Sequence, residues 1–157
     1  MDKLLQVLDT NARLSAEQIA VMLGVSTAEV EARLEALEKA GVVRGYKALI
    51  DWDKTDREYV TAYIDLQIAP SKDRGFDGVA EAIMAFDEVE SVTLMSGGYD
   101  LSVKITGRSF KDVAMFVAKR LSPLDGVLST ATHFVLKTYK ERGVLFDSEE
   151  KDERGLI

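Results

Sequence analysis

Apolar positions along this chain change their spacing near residue 60, and that change divides it. Over the first fifty residues they recur at helical intervals: Leu4, Leu5 and Leu8, then Ile19 and Leu23 at i, i+4, then Val30, Leu34 and Leu37 at i, i+4, i+7. These stripes predict helices ending near residue 11, over 15–23 and over 26–40. Ser15 and Ser26 stand just before the second and third, where a serine hydroxyl accepts from the free N–H groups of a new helix. The tight connection Leu23-Gly24-Val25 joins those two. Gly41 suits a helix stop, and residues 42–50 are short, extended and turn-interrupted, as a wing or strand would be. Three helices this short must pack on one another to bury their stripes. The layout is that of a helix-turn-helix head, and it also suits packed helices in any small α domain.

Residues 51–58, Asp-Trp-Asp-Lys-Thr-Asp-Arg-Glu, are charge-dense and carry no stripe. Beyond them Val60, Ala62, Ile64, Leu66 and Ile68 alternate with Thr61, Tyr63, Asp65 and Gln67, which predicts a half-buried strand ended by Pro70. Phe76, Val79, Ala80 and Ile83 return to helical spacing. Strands are predicted over 89–95 and 100–106, joined by Ser96-Gly97-Gly98-Tyr99. A second helix follows, capped by Ser109 and striped by Phe110, Val113, Ala114, Val117 and Leu121. A long last strand is predicted over 127–139, which is rich in β-branched and aromatic residues.

The order β-α-β-β-α-β is the ferredoxin-like unit, with both helices on one face of an antiparallel sheet. The expected fold class is α+β: an N-terminal winged helix-turn-helix over 1–50, a linker over 51–58, a ferredoxin-like oligomerisation domain over 59–140 and a charged tail over 141–157. Thr61, Tyr63, Ser102, Thr130 and Thr132 are expected on the uncovered face, where a second subunit would sit.

Composition narrows the chemistry. There is no cysteine among the 157 residues, which removes disulfides, thiolate metal sites and a cysteine nucleophile. Neither a metal nor a cofactor is expected. The net charge is −7, yet residues 1–50 hold six Lys/Arg against seven Asp/Glu while 51–157 hold fourteen against twenty, so the head is near neutral. The run Asp147 to Arg154 reads as a solvated end. With no apolar run of bilayer length and no basic-then-apolar start, a cytoplasmic address is the expectation.

Taken together, the residues resemble the Lrp/AsnC family of feast/famine transcription regulators, over Asp2 to about Lys140. In the head the family pattern is met by Asp2, Leu5, Leu8, Asn11, Arg13, Ser15, Ala20, Leu23, Gly24, Ser26, Val30, Arg33, Leu34, Leu37, Gly41, Val42, Gly45 and Tyr46. In the second half, Gly97-Gly98-Tyr99-Asp100-Leu101 resembles the family's G-x-Y-D turn, and Gly126-Val127 with Thr130-Ala131-Thr132 resembles its last strand. The resemblance implies a double-stranded DNA reader joined to a sensor of small effectors, often amino acids, bound between dimers near the G-x-Y-D turn. It also implies homodimers formed through the sheet faces, with assembly to tetramers or octamers in some members. The effector residues implied are Gly97, Gly98, Tyr99, Asp100 and Thr132. Glycines let backbone N–H groups approach an α-carboxylate and an aspartate pairs with an α-amino group, although a tight hairpin needs the same residues.

The DNA-facing candidates are Ser15, Ser26, Thr27, Glu31, Arg33 and Arg44, with Arg33 and Arg44 as phosphate partners. Here the chain departs from the family, whose recognition helices carry several basic or polar side chains where this one has Glu29, Glu31 and Glu35. Glu29 occupies the capping-box position after Ser26, and Glu31 suits either a solvated face or a cytosine amino group. Two alternatives stand beside the regulator: a metabolite sensor that has lost DNA contact, and an enzyme resembling haem-precursor decarboxylases that uses His133. No histidine cluster, phosphate loop or nucleophile motif accompanies that one histidine.

Overall fold

The computed structural model of the chain describes residues 2–146, and the run from Asp147 onward lies outside them. The chain divides into two compact units, Met1–Leu49 and Ile50–Ile157.

The first unit is three helices: α1 (Lys3–Thr10), α2 (Ala16–Leu23) and α3 (Thr27–Lys39). None could bury its stripe alone, and together they enclose Leu4, Ile19, Ala20 and Val30, with Val7, Leu8, Leu23, Leu34 and Leu37 packed around them. The α2–α3 turn depends on Gly24, whose φ of 69° lies in the left-handed region that a side chain disfavours. Residues 42–50, expected as a wing or strand, pair with no strand among the described residues. Tyr46 instead anchors back on α3, donating its hydroxyl to Glu38 Oε1 at 3.0 Å.

In the second unit a short 3-10 turn, Trp52–Lys54, interrupts the charge-dense stretch, and Trp52 stacks on Tyr59 with ring centroids 5.3 Å apart. There follow β1 (Val60–Ile68), α4 (Asp77–Met84), β2 (Val89–Leu94), β3 (Leu101–Gly107), α5 (Phe110–Phe116), a wider helical turn (Val117–Leu121) and β4 (Val127–Phe134). The sheet order is β2-β3-β1-β4, all antiparallel. Ala62, Ile64, Leu66, Leu101, Val103 and Ile105 form one face and pack on Ile83, Val113, Phe116 and Leu121 of the helical layer.

Three expectations are corrected here. The last strand ends at Phe134 rather than 139, because its partner β1 begins at Val60; the final ladder bond is Val135 N–H to Thr61 O, and the chain beyond has nothing to pair with. The stretch expected to be tail from residue 141 includes part of a small hairpin, β5 (Lys140–Glu141) with β6 (Val144–Leu145). Thr130 and Thr132 do not share the uncovered face with Thr61, Tyr63 and Ser102. They stand opposite Leu66 and Ile64, and directly paired residues point the same way, so they belong to the helix-covered side. The uncovered face is built from Thr61, Tyr63, Asp65 and Gln67, flanked by Ser102 and Lys104 on β3 and by Ser129, Ala131 and His133 on β4.

Candidate nucleic-acid interface and effector turn

Both serines at the helix starts act through the backbone. Ser15 Oγ accepts from Gln18 N–H at 3.2 Å while Gln18 Oε1 accepts from Ser15 N–H at 2.9 Å, a reciprocal capping box. Ser26 Oγ accepts from Glu29 N–H at 3.2 Å, which fixes where α3 begins. Thr27 follows, half-buried, and Glu31 is exposed one turn on.

Arg33 is placed differently from expectation. Its guanidinium donates to Asp2 Oδ1 at 2.8 Å, and the same oxygen accepts from Leu4 N–H at 2.9 Å as the N-cap of α1. The Leu4 N–H, and then the Arg33 guanidinium, hold the Asp2 carboxyl below its ordinary value. Arg33 therefore ties α3 to the start of α1. Both residues stood among the family-pattern positions, but 31 residues of separation hid their pairing. Arg44 folds back so that its guanidinium carbon lies 3.2 Å from where a Cβ on Gly41 would stand. Lys39 pairs with Glu35 one turn away. Two of the head's six cations are thus neutralised within it.

At the sensor turn, Gly97 has φ 149°, and nothing lies within 4 Å of a Cβ built on Gly97 or Gly98, so the backbone there is open. Asp100 is committed to the sheet. Its N–H donates to Leu66 O at 2.9 Å, its carbonyl accepts from Met95 N–H at 2.8 Å, and its Oδ2 accepts from Ile68 N–H at 2.8 Å. The side chain thereby continues the β1–β3 ladder one step beyond its backbone end. Gln67, which sequence reasoning passed over as an exposed strand residue, links the turn to β4: its Nε2 donates to Gly98 O at 3.3 Å and its Oε1 accepts from Ser129 Oγ at 2.7 Å. Tyr99, Leu94 and Met95 are all exposed. Thr132 is not brought to this turn; it lies two strands across from β3 and on the other face, roughly 14 Å away by strand spacing and rise.

The single histidine sits on the uncovered face with Nε2 3.1 Å from Asp65 Oδ2, and no group of His, Asp or Glu suited to a metal occurs among the described residues. At the end of the sheet where β1 starts and β3 finishes, a cleft of about 690 Å³ is lined by Arg57, Glu58, Tyr59, Asp87, Glu88, Thr106, Gly107 and Arg108. Tyr59 donates to Glu90 beside it, and burial, reinforced by that carboxylate, pushes its hydroxyl up to about 12. No helix among the described residues is long and apolar enough to cross a membrane.

This geometry meets its counterparts in known proteins. Residues 3–44 match the family model for a winged helix-turn-helix DNA-binding domain, and residues 61–145 match that for the Lrp/AsnC ligand-binding domain. The chain is 51% identical over 156 residues to YugG, an uncharacterised helix-turn-helix-type transcriptional regulator of Bacillus subtilis, covering 99% of this chain and 94% of that one. The structure of a transcriptional regulator of Neisseria meningitidis in complex with L-methionine superposes with a TM-score of 0.73 at 29% identity, over 90% of this chain and 93% of the other. Escherichia coli AsnC shares the fold, with a TM-score of 0.70 at 23% identity over 92% and 97% of the two chains. Two domain matches in the right order on the expected architecture, with a relative at 51% identity along nearly the whole length, establish that this chain belongs to the Lrp/AsnC family of transcriptional regulators.

Proposed function

We propose that the chain is a sequence-specific reader of double-stranded DNA whose second domain answers a small metabolite, an amino acid by class, and that it works as a homodimer or a larger closed assembly. The observation that carries this reading is the pairing, in one chain, of a capped α2-turn-α3 unit with an open Gly97-Gly98 turn on a rigid sheet. The glycines leave N–H groups approachable by a carboxylate. Asp100 retains Oδ1 for an ammonium group while Oδ2 holds Ile68. Tyr63 and its neighbours leave a mixed apolar and polar face that a second copy can cover.

The acidic face of α3 favours one competing reading, a sensor that acts without touching DNA. Retardation of the DNA upstream of the gene separates the two: a fragment preferred over random duplex, with affinity falling as salt rises, supports the reader. No preference at moderate salt leaves the sensor alone. For the effector, calorimetry across the amino acids begins with L-methionine, the ligand of the Neisseria relative. Binding to the wild type that is weakened in Asp100→Asn supports the turn. Equal binding to both moves the site elsewhere, and Arg108→Ala in the 690 Å³ cleft is the next variant to try.

A further inference from the structure

In helix-turn-helix proteins the second helix enters the major groove and its first turns meet base edges. Which edges they meet depends on whether the exposed side chains donate or accept. Ala28, Glu31, Ala32 and Glu35 form the outward stripe of α3, opposite buried Val30. Two residues of that stripe are methyl groups and two are carboxylates. Glu35 is engaged by Lys39, which leaves Glu31 as its free polar group. Glu29, at the stripe's flank, is also an acceptor.

The donors that would read guanine are scarce on α3: it carries no amide side chain, and its two cations are paired, Arg33 with Asp2 at 2.8 Å and Lys39 with Glu35. The hydroxyls of Ser26 and of half-buried Thr27 are the neutral donors at the start of the helix. Guanine presents two acceptors, N7 and O6, and is normally read by Arg or Lys; cytosine and adenine present amino donors, and thymine a methyl group.

We infer that α3 reads its half-site through the amino group of cytosine and the methyl groups of thymine, with Glu31 as the acceptor and Ala28 and Ala32 as the methyl contacts, and that it places no charged or amide donor on guanine. The inference rests on the DNA-reader function proposed above and specifies its chemistry. It also explains why so acidic a helix remains compatible with a DNA ligand: a carboxylate directed at a cytosine N4 amino group is a partner, whereas one directed at phosphate is repelled.

The test uses the full-length protein and a pool of random duplexes at fixed salt, followed by base analogues in the enriched site. Replacing a contacted thymine by uracil removes one methyl and is expected to weaken binding about fourfold, the worth of one buried methyl group. Replacing guanine by 7-deazaguanine removes N7 and is expected to change affinity by no more than about twofold, the scatter of neutral changes. Glu31→Gln adds an amide donor at an exposed position, and its enriched site is expected to shift from cytosine to adenine at one base pair, since glutamine bonds both N6 and N7 of adenine. A loss on 7-deazaguanine equal to or beyond the loss on uracil overturns the inference, as does an unchanged site for Glu31→Gln. A pool from which the wild type enriches nothing overturns the reader function itself and this inference with it.

Discussion

At the scale of single residues, the two arginines expected to hold phosphates differ in their contacts within the head. Arg33 is bound to the carboxylate that caps α1, so Arg33→Ala should lower the melting temperature and leave the salt dependence of DNA binding nearly unchanged. Arg44→Ala should do the reverse, flattening the slope of log affinity against log salt by about 0.9 per lost phosphate contact. Thermal melts and salt titrations of the two variants check this directly. Asp2 carries its own pH signature. Its carboxyl is held below the ordinary value, so its contribution is present above the normal carboxylate range and is lost as pH falls through the folded value. The wild type's stability advantage over Asp2→Asn should therefore fade on acidification. Tyr59 behaves oppositely, since its neutral form is the favoured one. Absorbance titration should show a tyrosinate step near 12 that Tyr59→Phe lacks, with the associated stability intact below the ordinary value of 10.0 and lost between there and about 12.

At the scale of elements, what sequence made legible was whatever repeats locally. The stripes of α2 and α3, the serine caps and the alternation of β1 are properties of neighbouring residues, and each element formed where its pattern lay. The misses were matters of partnership. Val127 to Tyr139 is uniformly good strand sequence, yet β4 stops where β1 offers no further edge, and composition carries no record of a partner's length. Thr130 and Thr132 face the helices rather than the open side because a one-residue shift of register exchanges the two sides of a sheet. The bulge at Gln67/Ile68 makes such a shift here. Asp100 is legible as part of the turn, but its bond to Ile68 N–H joins residues 32 apart. This has an experimental consequence. Asp100→Ala removes a ladder bond together with any ligand contact, whereas Asp100→Asn keeps an oxygen for Ile68. The alanine variant should melt below the asparagine variant even without effector. Ser26→Ala should cost about 1 kcal/mol in a chemical melt, the usual worth of a serine cap.

At the scale of the whole molecule, the central question is how a chain of net charge −7 engages a polyanion. With Arg33 and Lys39 paired internally, one head has few cations left for phosphates, so the proposed function requires two or more heads held together on spaced half-sites. Light scattering at micromolar concentration should accordingly return at least twice the 17.3 kDa chain mass. Sequence-specific DNA reading is tested by fluorescence anisotropy of a labelled duplex from the gene's own upstream DNA, titrated with the full-length protein beside a scrambled duplex of equal length and composition. The upstream duplex is expected to bind at least about a thousandfold more tightly, the lower end of specific discrimination, with both affinities falling as salt rises. Equal affinity for the two duplexes at every salt concentration would contradict sequence-specific reading.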